Sequence, residues 1–187
     1  HVISASLGDE ATGVVTDNVG NVYVVGRFSG TVDFDFGSGV SNLVSNGSTD
    51  IYIAKYTSAG NYMWAHAIGG SDLDGAYNLK VDYAGNVIVC GYFRGPNVDF
   101  NPGAGTFLLS SNGDAGTNAG FGGDAFLVKL TSSGSFIWAF HVGGEYSHDA
   151  FCDLDVDANN NIYVGGFFNP TSGTTIDLDP GVGVYAI

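Results

Sequence analysis

One block of sequence is written into this chain nearly three times, and that recurrence limits the fold more than any other feature. Asp17-Asn18-Val19-Gly20-Asn21-Val22-Tyr23-Val24-Val25-Gly26 returns as Asp82-Tyr83-Ala84-Gly85-Asn86-Val87-Ile88-Val89-Cys90-Gly91. It returns again as Asp157-Ala158-Asn159-Asn160-Asn161-Ile162-Tyr163-Val164-Gly165-Gly166. The copies are offset by 65 and then 75 residues. A period of that length means stacked or radial copies of one supersecondary unit, each burying its apolar face on the next. Such a pattern specifies an architecture and leaves activity open.

Within the first copy, residues 11 to 17 read as a short strand ending in Asp-x-x-Gly-Asn, a turn whose Gly and Asn accept positive φ. The return strand, residues 21 to 28, is largely apolar on both faces, which predicts a central strand covered on both sides. Residues 30 to 35 and 42 to 45, around Gly37-Ser38-Gly39, predict a small hairpin at the outer edge. Residues 50 to 56 and 62 to 68 predict a larger hairpin around Thr57-Ser58-Ala59-Gly60-Asn61. The second copy repeats this order, with a Gly/Asn/Ala insertion at 112 to 123 that belongs on a loop. The third reaches Gly181-Val182-Gly183, the counterpart of Gly37-Ser38-Gly39 and Gly103-Ala104-Gly105, and little beyond.

Four main strands per copy is the size and order of one β-propeller blade. The expectation is an all-β fold of four-stranded antiparallel blades, about two and two-thirds of them, in one repeat region spanning 1–187. Its units run roughly over 1–65, 66–140 and 141–187. Trp64, Trp138, Tyr23, Tyr163, Phe28, Phe93 and Phe168 recur at phases suited to filling the space between blades. A β-solenoid or β-sandwich is the alternative, but a solenoid usually repeats in about 20 to 30 residues. A sandwich would not need the self-similarity.

The combination of Asp-x-x-Gly-Asn-Val-Tyr-Val-x-Gly-x-Phe (17 to 28), Gly-Thr-Val-Asp-Phe-Asp (30 to 35), Asp-Ile-Tyr-Ile-Ala-Lys-Tyr (50 to 56) and Tyr-Met-Trp-Ala (62 to 65) resembles the SBBP-type β-propeller repeat. That family is found in secreted and surface proteins of bacteria. The resemblance covers essentially the whole chain, and it implies a propeller fold and an extracellular setting. It transfers no catalytic residues. A propeller closes with about four to eight blades, so closure calls for further blades in a parent chain or for self-association. The start at His1 without Met reads as a mature or clipped fragment of a longer secreted protein.

The net charge is −14. A chain so acidic repels phosphate, which argues against nucleic acid and anionic membrane as partners. No apolar run approaches the length of a membrane span. Cys90 and Cys152 have strand-interior neighbours and read as buried free thiols, with a single disulfide as the alternative.

The acidic pairs are the best chemical candidates. Asp33/Asp35, Asp99/Asn101 and Asp177/Asp179 each sit at i, i+2 on one strand face before a Gly-x-Gly turn. Such oxygen donors suit Ca²⁺, although the third acidic position and closing Glu of a full loop are missing. The competing reading is a solvated face with turn-forming Asp. Asp153, Asp155 and Asp157 form a second acidic row, read as solvated. Lys55 and Lys129 occupy equivalent positions in buried strands and need carboxylate partners, for which Asp17 and Asp82 are placed. His1 and His66 align through the 65-residue offset, and separate blades hold such positions apart, so His1, His66, His141 and His148 read as strand-end or rim residues. Ser147-His148-Asp149 is no triad, since adjacent residues on an extended segment point in alternating directions. Asn46-Gly47-Ser48 reads as a turn in preference to a glycosylation acceptor.

These features favour a non-catalytic binding or scaffold module, for glycan or protein recognition or adhesion, in a secreted or cell-surface protein. The alternatives are an extracellular lyase or hydrolase with its site at the propeller axis, or a structural spacer. Repeated residues such as Asp17, Asp82 and Asp157 serve the repeat, whereas a catalytic site breaks it.

Overall fold

The computed structural model describes residues 8–112, 122–144 and 148–169, and every regular element among them is a strand. The first copy contributes β1 (Glu10–Thr16), β2 (Val22–Phe28), β3 (Thr31–Asp33), β4 (Asn42–Val44), β5 (Asp50–Tyr56) and β6 (Tyr62–Ile68). The second contributes β7 (Gly75–Val81), β8 (Val87–Phe93), β9 (Val98–Asp99), β10 (Leu108–Leu109), β11 (Asp124–Leu130) and β12 (Phe136–Val142). The third contributes β13 (Ala150–Val156) and β14 (Ile162–Phe167). Strands β1-β2-β5-β6 form one antiparallel sheet, and β7-β8-β11-β12 form a second in the same order. The pair β13-β14 starts a third sheet as β1-β2 starts the first. These are blades of a propeller-like repeat.

Each copy opens on a hairpin with a β-bulge, between Ala11 and Gly13, Ala76 and Asn78, and Phe151 and Asp153. The bulge drives the first strand's backbone against its partner. A Cβ at Gly26, Gly91 or Gly166 would fall on the carbonyl oxygen of Glu10, Gly75 or Ala150. This explains why the recurrent motif ends in glycine every time. The turn inside the hairpin needs one residue at positive φ, supplied by Gly20 and Gly85 at 85° and by Asn160 at 62°.

Alternation along β5 joins the blades. Ile51 and Ile53 turn towards the second blade and share a core with Tyr23, Val25, Val89, Phe126 and Val128. Tyr52, Ala54 and Tyr56 turn the other way, onto Phe28 and Phe34. On the far side of the second blade, Ile88, Cys90, Ala125 and Leu127 meet Phe151 and Leu154 of the third copy. Burying one such side chain contributes about 1.5–3 kcal/mol, and β8 and β11 bury side chains on both faces. The inner strands converge, with β1 packed on β7 and β7 on β13.

Three placements differ from expectation. The small hairpins do reach the outer strand, Ser41 bonding Tyr62 and Phe107 stacking on Phe136. They also lie over the blade face, so that Phe100 enters the layer between blades, 5.0 Å from Phe93 and 5.2 Å from Phe126. Cys90 is buried as expected, but Cys152 is exposed because it is the extra residue of the β13 bulge; both thiols are free. Tyr163 is 58% exposed where its counterpart Tyr23 is fully buried. Among the described residues β14 pairs only with β13.

Candidate functional site

The ends of the inner strands, with the turns that follow the first two of them, surround a cleft of 490 Å³ to which all three copies contribute. Asp17 and Val19 come from the first copy, Lys80, Asp82 and Tyr83 from the second, and Asp155 from the third. The turns are braced against each other, since the Tyr83 amide donates to Asn160 Oδ1 at 3.0 Å.

The carboxylate of each turn is committed to its own backbone. Asp17 Oδ1 accepts from the amides of Val19 (3.1 Å) and Asn21 (2.8 Å), and Oδ2 from Asn21 Nδ2 (2.8 Å). Asp82 does the same with Ala84, Asn86 and Asn86 Nδ2 at 2.9, 2.8 and 3.0 Å. Asp157 repeats it with Asn159, Asn161 and Asn161 Nδ2 at 2.9, 2.9 and 2.8 Å. A cation from the third strand completes two of the three sites. Lys129 Nζ lies 2.7 Å from Asp82 Oδ2, and Lys55 Nζ lies 3.9 Å from Asp17 Oδ2. Partial burial raises the Asp82 carboxyl, but Lys129 and Asn86 outweigh it and hold it below the ordinary range. Asp17 is likewise held low, with Asn21, Val19 and Lys55 outweighing burial. Carboxylates tied in this way make poor general bases.

Lys55 also clamps the blades. Its Nζ donates to Ser132 O at 3.0 Å and stands 4.7 Å above the Tyr23 ring, while Trp64 Nε1 donates to the same carbonyl at 3.2 Å. The ion pairs expected of Lys55 and Lys129 are therefore present. The acidic row on β13 is exposed as expected, and it also makes contacts. Asp153 accepts from Asn78 Nδ2 and Asp155 pairs with Lys80 at 3.4 Å, so both tie the third copy to β7.

The acidic pairs of the small hairpins fold their own loops. Asp33 Oδ1 accepts from Asp35 (3.0 Å) and Ser41 (2.8 Å), and Asp35 Oδ1 from Gly37 (2.8 Å). Asp99 Oδ1 accepts from Asn101 (3.0 Å) and Phe107 (2.9 Å), and Asn101 Oδ1 from Gly103 (2.9 Å). Amide hydrogens directed at these oxygens compete with any cation for their lone pairs. Among the described residues no group of three or more His, Cys, Asp or Glu is arranged to hold a metal ion. Asp177 and Asp179 lie outside the described residues, as do His1 and Ser147.

The other histidines are dispersed. His66 packs on Trp64 at 5.0 Å between ring centres, and burial holds its pKa low. His141 Nδ1 bonds Asp124 Oδ2 at 2.7 Å, and His148 lies between Tyr92 and Phe167.

A further set of repeated carboxylates escaped the sequence reading. Asp74 joins the first blade to the second, accepting from Gly70 N (2.7 Å) and Arg94 N (2.8 Å). Asp149 accepts from Gly144 N and Asn169 N, both at 3.0 Å, and Asp9 from Ser29 N at 2.9 Å. Burial, with Asp50 and Asp72 nearby, pushes Asp74 up to about 7 against the pull of its two donors. The signal was available, because Asp9, Asp74 and Asp149 recur at the same 65- and 75-residue offsets as the turn motif.

No family model matches the chain. It is 30% identical over 156 residues to an uncharacterized WD repeat-containing protein of Acanthamoeba polyphaga mimivirus, across 82% of this chain and 10% of that protein. It is 26% identical over 169 residues to the regulatory protein FlaEY of Caulobacter vibrioides, across 90% of this chain and 16% of that one. The chain thus spans a small fraction of the length of either relative.

Proposed function

We propose that this chain is a non-catalytic binding or scaffold module, and that its inner-turn cleft is the recognition surface. The observation that carries this reading is the contrast inside the cleft. The recurrent carboxylates hold the turns, while the residues that vary between copies are presented outward. Val19 is 77% and Tyr83 66% exposed, and the side chain of Asp155 is 79% exposed beside Lys80. An apolar rim with one cation and one free carboxylate edge suits a protein or glycan ligand. One relative is named for WD repeats and the other as regulatory, and neither name states a reaction.

An extracellular setting belongs to the same proposal and rests on the likeness to the SBBP-type repeat. So does Ca²⁺ at Asp33/Asp35 and Asp99/Asn101, which rests on their recurrence; a melt unchanged in excess chelator would remove it. The main test is retention on glycan and peptide panels. Wild type should be retained, while the double variant Val19→Ser/Tyr83→Ser should lose retention with an unchanged melt. Cleavage of a panel member without stable retention would overturn the binding reading in favour of an enzyme.

A further inference from the structure

The inner strands begin about 20 Å from the Asp turns, at roughly 3.3 Å per residue along seven-residue strands. There the repeat is broken. The cross-strand pair that opens the hairpin is Glu10–Arg27 in the first copy, Gly75–Tyr92 in the second and Ala150–Phe167 in the third. The bulge beside it holds Thr12, Tyr77 or Cys152. Residues that serve the fold recur, as the turn aspartates do, and these do not. Arg27 Nη2 lies 3.2 Å from Glu10 Oε1, and Nη1 donates to the Tyr92 hydroxyl at 3.3 Å. Tyr92 reaches across because its partner is Gly75, where a Cβ would stand 2.9 Å from the ring. Tyr77, half-buried, lies against that ring with 5.5 Å between centres. Burial raises the Tyr77 phenol, helped by Tyr92, Cys152 and Glu10 against Arg27, so it stays protonated beside residues of all three copies. The Glu10 and Arg27 side chains are 46% and 33% exposed, although Arg27 bridges two complete four-stranded blades.

We infer that Glu10, Arg27 and Tyr77 form a second binding site, separate from the inner-turn cleft, and that its ligand is a neutral saccharide. A carboxylate and a guanidinium side by side set an acceptor next to donors, and adjacent sugar hydroxyls satisfy both at once. Arg27 has donors to spare, since Nε is without a hydrogen-bond partner among the described residues. An anionic ligand would meet Glu10 and the net charge of −14, and a cationic one would meet Arg27. The Tyr77 ring offers an apolar face to the sugar's C–H groups, and its hydroxyl offers a polar tip. Holding the blades together does not call for these charges, because Ala150 and Phe167 occupy the same places in the third copy. The site goes beyond the cleft and stands or falls without it.

The test is amide-resolved NMR of the 187-residue chain titrated with cellobiose, maltose, lactose and diacetylchitobiose, with glucuronate and glucosamine as charged controls. A neutral disaccharide should shift the amides of Glu10, Thr12, Arg27 and Tyr77 and leave those of Val19 and Tyr83 in place. Each charged control should bind more weakly. Glu10→Gln and Tyr77→Ala should each weaken the sugar about tenfold. Glu10→Gln removes only charge at an exposed strand end, so its melt should match wild type. Silence from all four disaccharides, equal binding of a charged control, or undiminished affinity in Glu10→Gln would each overturn the inference. Shifts centred on Val19 and Tyr83 would also overturn it, while supporting the cleft.

Discussion

The first two blades share their strand order, turns and motifs, yet the same buried aspartate fares differently in each. In the second blade Asp124 accepts from the Asn112 amide and side chain and from His141. In the first blade Asp50 accepts from the Asn46 amide through Oδ2, and among the described residues Oδ1 has no hydrogen-bond partner although the residue is fully buried. Two positions differ. The Asn112 amide reaches both oxygens of Asp124, where the Asn46 amide reaches only Oδ2 of Asp50. A histidine adds a bond to Oδ2 in the second blade alone. His141 stands opposite Phe126, whereas Tyr52, the counterpart of Phe126, stands opposite Ala67. Burial raises the Asp50 pKa, against the pull of the single Asn46 donor. The repeat therefore fixes where a carboxylate stands, and the neighbouring strand decides how well it is satisfied.

Backbone substitutions should break the blades most severely. Gly91→Ala and Gly26→Ala force a Cβ onto a carbonyl oxygen that the bulge cannot move, at a cost above about 3 kcal/mol. Gly165→Ala, in open space one residue before the equivalent Gly166, should be near neutral. Urea unfolding of the three variants checks this, and similar losses in all three would break the account.

Next comes the ion pair. Lys129→Met leaves the buried Asp82 without its cation and should cost about 3 kcal/mol. Lys55→Met should cost less, about 1–2 kcal/mol, because its loss removes a long ion pair, one hydrogen bond and a contact with the Tyr23 ring. A reversed order in denaturant melts would show that interblade clamping outweighs pairing.

The Asp50 difference can be sharpened in both directions. Ala67→His should give Asp50 the partner that Asp124 has and add about 1 kcal/mol, while His141→Ala should remove about 1–3 kcal/mol from the second blade. Equal and opposite shifts are not required. A destabilising Ala67→His would show that the first blade has no room for the ring.

The last comparison concerns pH dependence. Asp74 titrates at about 7 in the fold, against an ordinary carboxyl value of 3.8. Between those values the native state holds a proton that the unfolded chain has released. Stability from this group is therefore greatest in acid and falls as pH rises through the window. Asp17 and Asp82, held low, act in the opposite sense and withdraw stability only below the ordinary value. Asp74→Asn should lower stability and flatten its slope between about pH 5 and 7 in urea titrations. An unaltered slope would remove Asp74 as its source.

The strands were legible in the sequence because alternation and turn chemistry agree along residues 11 to 28 and recur twice. The Lys55–Asp17 and Lys129–Asp82 pairs were legible because a buried cation in a repeat demands a repeated anion. The cleft was not, since it forms where two turns and the end of β13, far apart in sequence, converge, and no local pattern encodes that distance. The depth to which Phe100 penetrates was missed for a similar reason. A hairpin with two-residue strands signals its turn but not the blade face onto which it folds.

The central claim is that the Asp turns are structural staples of one repeated blade, graded by how well each is enclosed. Native-state hydrogen exchange of the Asn21, Asn86 and Asn161 amides tests it directly, since each donates to its turn carboxylate at 2.8, 2.8 and 2.9 Å. All three should exchange more slowly than the free turn tips, with Asn86 slowest, Asn21 next and Asn161 fastest. Rapid and equal exchange at the three sites would contradict the account.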